Sequence, residues 1–365
     1  MRLKPLRYCI LPISFANDIL EHMKTSDFDY NLPSELIAQT PIEPRDASRL
    51  MVVDRTNRSI QHKTFRDITQ FLRRGDVLVM NNSRVIPARL FGRKADTGAA
   101  VEILLLRRSA VNQAWEALVK PGKRLPVGTT VILGSAEDTP VTAEITAILD
   151  DGIREVAFSD ESRLSALGKI PLPPYIHAPL SDSERYQTVY AHDSGSVAAP
   201  TAGLHFTTEL LQGLRSMGVE TLETTLHIGL DTFRPVAADD PTQHHIHQEY
   251  GIVSEHVAQR ITHARLENRR IICVGTTSVR ILEHAAGKSV NAPLDAFAGW
   301  VDLLILPGYK FRLTDVMQTN FHLPKSTLLM LVSAFAGADL IKRAYAEAVE
   351  QKYRFYSFGD TMLIL

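Results

Sequence analysis

Ile271-Ile-Cys-Val-Gly-Thr-Thr-Ser-Val-Arg280 is the stretch on which the reading of this chain turns. Four apolar residues in a row predict a buried strand, Gly275 permits a sharp turn, and a helix is expected from about Ser278 to Ala286. A strand that feeds a helix is the repeating unit of layered α/β domains. The junction also gathers three hydroxyls, unpaired N–H groups and the positive end of a helix dipole, a seat suited to a carboxylate or a phosphate. A plain capped helix start is the alternative. Neither a P-loop nor a dinucleotide fingerprint is present, because the glycine and lysine spacings of both are missing.

Working outward, the same alternation continues. A helix is expected from Ser254, with Val257, Ile261 and Ala264 on one face, and a strand at Thr224-Thr-Leu-His-Ile. Ser326 is placed to cap an apolar helix ending at Gly337, and an amphipathic helix follows to about Glu350. Towards the N-terminus, Leu50-Met-Val-Val-Asp and Val77-Leu-Val-Met read as strands, with Phe65 to Leu72 as a short amphipathic helix between them. These patterns predict α/β layers with a mostly parallel sheet. Between about Leu90 and Ser159 the helices vanish. Short β-like runs recur, Val101-Glu-Ile-Leu-Leu-Leu and Val141-Thr-Ala-Glu-Ile among them, separated by Gly, Pro, Asp and Asn. Evenly spaced strands of this kind predict a small antiparallel β-barrel. The expected organisation is a discontinuous α/β catalytic domain, residues 23–89 and 160–365, interrupted by an inserted barrel at 90–159. Ile170-Pro-Leu-Pro-Pro-Tyr-Ile reads as an extended linker after it.

Composition narrows the class. With 365 residues, 45% hydrophobic, 22% charged and a formal net charge of −1, the chain has the make-up of a soluble globular protein rather than a bulk cationic nucleic-acid binder. Only two cysteines occur, so neither a disulfide framework nor a cysteine-based zinc site is credible, which fits a cytoplasmic protein. Residues 1–22 vaguely imitate a signal peptide, but the apolar run is short and broken by Pro12; an extension before Met23 is the expectation. No stretch has the apolar length of a membrane helix.

Four further segments carry chemistry. Gly195-Ser-Val-Ala-Ala-Pro-Thr-Ala-Gly-Leu-His-Phe is small, flexible and almost free of charge, the composition of a binding loop or of a tight structural turn. His244-His-Ile-His-Gln-Glu, if extended, alternates His245, His247 and Glu249 onto one face, leaving open a metal site, an acid–base role or a structural one. Asn81-Asn-Ser-Arg follows a strand, where α/β proteins place binding groups. Pro307-Gly-Tyr-Lys-Phe and Asn320-Phe-His-Leu-Pro-Lys join aromatic, basic and amide groups, able to stack a base on Tyr309 or meet phosphates through Lys310 and Lys325, or else to serve the core.

Taken together these segments resemble the S-adenosylmethionine:tRNA ribosyltransferase-isomerase family of bacterial queuosine synthesis. The resemblance rests on Asp27-Phe-Asp-Tyr-Asn-Leu-Pro, Asn81-Asn-Ser-Arg-Val-Ile-Pro-Ala-Arg-Leu, Pro171-Leu-Pro-Pro-Tyr-Ile, Tyr186-Gln-Thr-Val-Tyr, and Gly195 to Phe206. It continues through Gly275-Thr-Thr-Ser-Val-Arg, Pro307-Gly-Tyr-Lys-Phe, Thr319-Asn-Phe-His-Leu-Pro-Lys-Ser-Thr-Leu and Tyr353-Arg-Phe-Tyr-Ser-Phe-Gly-Asp. In the family's histidine motif the matching positions are His244, His247 and Glu249, so His245 is extra and no metal is expected. Where the family reads His-Val/Ile-Gly-x-Gly-Thr-Phe, Asp231 replaces the second glycine.

The resemblance implies that S-adenosyl-L-methionine is consumed as a co-substrate. Its ribosyl portion passes to 7-aminomethyl-7-deazaguanine at the wobble position of a tRNA anticodon with guanine first and uracil second. The product is epoxyqueuosine, and adenine and methionine are released. Glu249 or His247 is the candidate base or acid. Thr276, Thr277, Ser278 and Arg280 are candidates for the co-substrate. Asn81, Asn82, Arg84, His205, Tyr309, Lys310, His322 and Lys325 are candidates for the tRNA. A monomer is expected. The rival readings are a conventional methyltransferase, a metal hydrolase built on the histidines, and a noncatalytic tRNA-binding protein.

Overall fold

A computed structural model describes residues 23–109, 114–134, 139–229, 236–290 and 293–365. Asp231 and the extension at 1–22 lie outside these residues. The chain begins with β1 (Arg49–Asp54), β2 (Ser59–Thr64), β3 (Val77–Asn81) and β4 (Ser83–Val85). Next come β5 (Arg89–Lys94), β6 (Ala100–Arg108), β7 (Trp115–Lys120), β8 (Thr130–Leu133), β9 (Val141–Ile148) and β10 (Arg154–Phe158). These six close into an antiparallel barrel in the order β10-β7-β6-β5-β8-β9. Its interior is apolar, with Leu90, Ile103, Val131, Ile145 and Val156 fully buried, so closure removes the edges that an open small sheet would expose.

After the barrel come β11 (Asp193–Ser196), α1 (Thr208–Ser216), β12 (Glu220–Leu226), β13 (Glu249–Val253) and α2 (Glu255–Leu266). The C-terminal part holds β14 (Ile271–Val274), α3 (Gly275–Lys288), β15 (Phe297–Val301), β16 (Val316–Asn320), α4 (Thr327–Ala336), α5 (Ala338–Glu350) and β17 (Thr361–Ile364). One nine-stranded sheet runs β15-β13-β12-β3-β14-β16-β17-β1-β2. The expected mostly parallel sheet holds only in part. Four of its pairings are parallel, and four are antiparallel. The antiparallel pairings lie at β1–β2, β12–β13 and β13–β15 towards the two edges and at β16–β17 within the sheet.

The central strands read as continuous apolar runs because both faces are covered. Alternate residues separate cleanly: Val77, Val79, Ile271 and Cys273 face one core with α2, α3, α4 and α5. Leu78, Met80, Ile272 and Val274 face the other with Phe65, Leu211 and Leu214. Thr207 caps α1, its hydroxyl accepting from Leu210 N at 3.1 Å. Ser254 and Ser326 cap α2 and α4 in the same way. Phe65–Gln70 is a tighter 3-10 helix rather than an α-helix, held at its start by a reciprocal Thr64–Asp67 cap. The larger departure is at α3, which begins at Gly275 rather than near Ser278. The three hydroxyl residues therefore form its first turn instead of a loop leading into it.

Candidate active site

Strands β12, β3, β14 and β16 are mutually parallel neighbours, so their carboxyl ends open on one side of the sheet. Such ends are where open α/β sheets hold ligands. A cleft of about 610 Å³, including the space open to solvent at its mouth, lies there. Gly275, Thr276 and Thr277 from α3 form one wall, and Thr319 to Leu323, at the end of β16 and just beyond it, form another. Ala199 to Ala202 supply a third wall from the glycine-bounded loop, and Tyr175 and Tyr356 add aromatic surface.

The loop is held by the strand beside it. Val197 N donates to Ile228 O at 2.9 Å, and Ser196 Oγ accepts from Ile228 N at 2.8 Å. Gly275 adopts φ 83°, and a side chain there would come within 3.3 Å of Ala202 Cβ, so glycine lets helix and loop approach. Residue Val274, which precedes α3, gives no side-chain cap. The helix start, whose residues Gly275, Thr276 and Thr277 line the cleft, thus has no capping side chain for its N–H groups. Thr277 Oγ1 is buried beside them and has no hydrogen-bond partner among the described residues. Ser278 differs: its hydroxyl donates back to Val274 O at 2.8 Å, and the residue is fully buried outside the cleft lining.

One turn further along α3, Arg280 meets Glu249 of β13 in an ion pair between Nη1 and Oε2. Both side chains are at most 5% exposed. Glu249 Oε1 also accepts from Gly229 N at 3.1 Å, and Arg280 Nε donates to Leu303 O at 3.2 Å. Arg280 Nη2 is buried without a partner among the described residues. The pair lines a smaller cavity with His244, His247 and Thr327, and Leu328 belongs to the walls of both this cavity and the main cleft. His247 is exposed at its rim. Among the described residues no group of three or more His, Cys, Asp or Glu is arranged to hold a metal.

The remaining sequence candidates divide. His322 lines the cleft, its Nε2 2.8 Å from Thr319 Oγ1, and burial pushes its pKa down to about 3, so the ring is neutral near pH 7. His205 does not reach the cleft: Nδ1 is 2.7 Å from Ser48 Oγ and Nε2 2.9 Å from Asn320 Oδ1, and burial lowers its pKa to about 4. Asn81 stands at the carboxyl end of β3 but spends its amide on the backbone of β12, donating to Leu226 O at 2.9 Å and accepting from Leu226 N at 3.0 Å. Asn82 accepts from Thr225 Oγ1 at 2.8 Å, and Arg84 pairs with Glu184. Tyr309 leans on Glu283 and the Phe311 ring, and Lys310 is exposed; neither lines the cleft. Lys325, at φ 57°, pairs with Asp29 at 2.9 Å.

His227 was not singled out from its residues alone, yet it stands directly beyond β12, facing Gly195 and lining a larger cleft with His247 and Glu249. Its place one residue after a strand end is the signal that nominates it.

Comparison with known proteins identifies the family. The queuosine biosynthesis protein family model matches residues 25–364. An S-adenosylmethionine:tRNA ribosyltransferase-isomerase of Dehalococcoides mccartyi is 56% identical over 344 residues, covering 94% of this chain and 100% of the relative. One from Symbiobacterium thermophilum is 54% identical over 347 residues, again covering 94% of this chain and 100% of the relative. The crystal structure of a Thermotoga maritima S-adenosylmethionine tRNA ribosyltransferase is 39% identical and superposes with a TM-score of 0.54, covering 93% of this chain and 100% of that one. On these grounds the chain belongs to the queuosine biosynthesis protein family.

Proposed function

We propose that the protein is an S-adenosylmethionine:tRNA ribosyltransferase-isomerase. It moves the ribosyl portion of S-adenosylmethionine onto 7-aminomethyl-7-deazaguanine at the wobble position of tRNA, and it forms epoxyqueuosine with release of adenine and methionine. The observation that carries the reading is the adjacency of an uncapped helix start, with its unpartnered Thr277 hydroxyl, to the buried Glu249–Arg280 pair. The first suits a carboxylate and the second fixes a carboxylate base in place.

In this reading the first turn of α3 receives the methionine carboxylate: Thr276 and Thr277 offer N–H and hydroxyl donors, and Arg280 Nη2 adds a charge-assisted one. Ser278 supports the turn by its bond to Val274 rather than by touching the co-substrate. The positive sulfur of S-adenosylmethionine acidifies the neighbouring ribose 5′ carbon, so a positioned carboxylate such as Glu249 is able to remove that proton. Arg280 and Gly229 N orient that carboxylate. Adenine departure requires a proton donor, and His247 at the cavity rim takes that role. Neutral His322 and the Tyr175 and Tyr356 rings offer polar and stacking contacts to a base. Exposed Lys310 is assigned to the tRNA backbone, whereas Lys325 and Arg84 are already paired with Asp29 and Glu184. The enzyme works as a monomer in the cytoplasm, on tRNAs whose anticodon begins with guanine and then uracil.

Chromatography of the small molecules formed from protein, S-adenosylmethionine and tRNA tests the assignment. Adenine and methionine are expected only when the tRNA carries the aminomethyl-deazaguanine base. Release of S-adenosylhomocysteine instead would make the protein a methyltransferase.

A further inference from the structure

The chain contains two tryptophans, Trp115 in β7 of the barrel and Trp300 in β15 of the large sheet. Both line one cleft between the two bodies, about 1230 Å³ including its open mouth. Trp300 is the cross-strand partner of Tyr250 in the β13–β15 ladder, so the two rings stand side by side on one face of an edge hairpin. They meet edge to face at 5.3 Å and remain 43% and 38% exposed. Burial does not account for two large rings left open to solvent at the mouth of a cleft. On the barrel side the Arg107 guanidinium lies 5.1 Å from the Trp300 ring centre. The same cleft reaches His247 and Glu249 at its inner end, so it is continuous with the candidate site.

The charges indicate what the cleft takes. Arg107 is paired with Glu116 at 2.8 Å, and Arg108 with Glu161. Neutralised arginines give little to a phosphate backbone, whereas flat aromatic faces and a guanidinium plane suit an unstacked base. We propose that Tyr250 and Trp300 form a stacking platform for an unpaired nucleobase of the RNA substrate, next in the strand to the base being modified. This rests on the tRNA reading above and assigns one loop nucleotide to named side chains.

Because there are only two tryptophans, Trp115→Phe leaves Trp300 as the sole indole reporter. Anticodon stem–loop RNA carrying the aminomethyl-deazaguanine base is titrated against that protein. Saturable quenching of Trp300 emission is expected. In the otherwise native chain, Trp300→Ala is expected to weaken stem–loop binding about 10-fold, since one base–aromatic stack has an effect of that order. Trp300→Phe recovers most of it, and KM for S-adenosylmethionine stays within about twofold throughout. Unchanged stem–loop affinity in Trp300→Ala overturns the platform. Quenching by S-adenosylmethionine alone, with a raised KM in Trp300→Ala, also overturns it and gives the rings to the co-substrate's adenine. Loss of the enzymatic reading looks different: the native protein then releases no adenine from modified stem–loop, whatever Trp300 does.

Discussion

Glu249 and Arg280, 31 residues apart, form a buried ion pair that ties the first residue of β13 to the second turn of α3. The pair joins the two segments that the sequence nominated separately, one for proton transfer and one for the co-substrate. It also makes each residue structurally expensive to remove, because either deletion strands a charge out of water.

Arg280→Ala is therefore expected to destabilise the fold by about 3–5 kcal/mol, measured by urea unfolding. Glu249→Gln keeps the shape and the acceptor for Gly229 N but loses the base. Its turnover should fall at least about 100-fold while its unfolding transition stays cooperative. Near-normal turnover in a folded Glu249→Gln protein would remove Glu249 from the chemistry, and the same outcome in His247→Ala would remove His247.

Thr277→Val separates binding from folding. The hydroxyl it deletes is buried and has no partner among the described residues, so stability should hold or rise by up to about 1 kcal/mol. If that hydroxyl meets the methionine carboxylate in ground and transition state alike, KM for S-adenosylmethionine should rise about 10-fold with kcat little changed. A KM equal to that of the native protein would place the carboxylate elsewhere.

Acid should weaken the fold through its buried histidines. Burial holds His205 at about 4 and His322 at about 3, against 6.5 for an exposed ring. Below pH 6.5 the unfolded chain takes up a proton at each position that the folded chain refuses, so stability falls as the pH drops from about 6.5 towards 4. Each group contributes a slope of about 1.4 kcal/mol per pH unit in that window and none above it. His205→Gln should flatten the slope by about one such increment in urea titrations at successive pH values.

Gly195→Ala probes the seating of His227. A β-carbon at residue 195 would lie 2.8 Å from His227 Cε1 and 3.0 Å from both ring nitrogens. The ring must shift, at a cost of about 1–3 kcal/mol. Turnover should drop more than Gly213→Ala changes it, since nothing lies within 4 Å of a side chain added at Gly213. Equal activities in the two variants would show that the His227 position does not matter to the reaction.

Much of the fold was legible because local pattern and final burial agree. The apolar run Ile271–Val274 is buried on both faces, Ser326 caps the helix it precedes, and the short alternating runs after Leu90 close into a barrel. The parallel content was overestimated because periodicity reports that a strand is buried, not the direction of its neighbour. The antiparallel pairings β1–β2, β12–β13, β13–β15 and β16–β17 depend on the order of strands in the sheet, which has no periodic signature.

The candidate site was legible as residue types and only partly as roles. Thr277 and Ser278 are neighbours with nearly the same chemistry, yet successive residues of a helix turn about 100° apart, and one hydroxyl faces the cleft while the other returns to Val274. His205 and His322 both sit in segments of the expected kind, but Ser48 and Asn320 occupy the first, whereas the second lines the cleft. By itself the sequence determined the family, the strand–helix junction at Gly275 and the presence of a barrel, since these follow from contiguous residues. Tertiary structure alone decided that Glu249 meets Arg280 and that both tryptophans share one cleft, because those contacts join strands and helices far apart in the chain and depend on how the sheet is ordered.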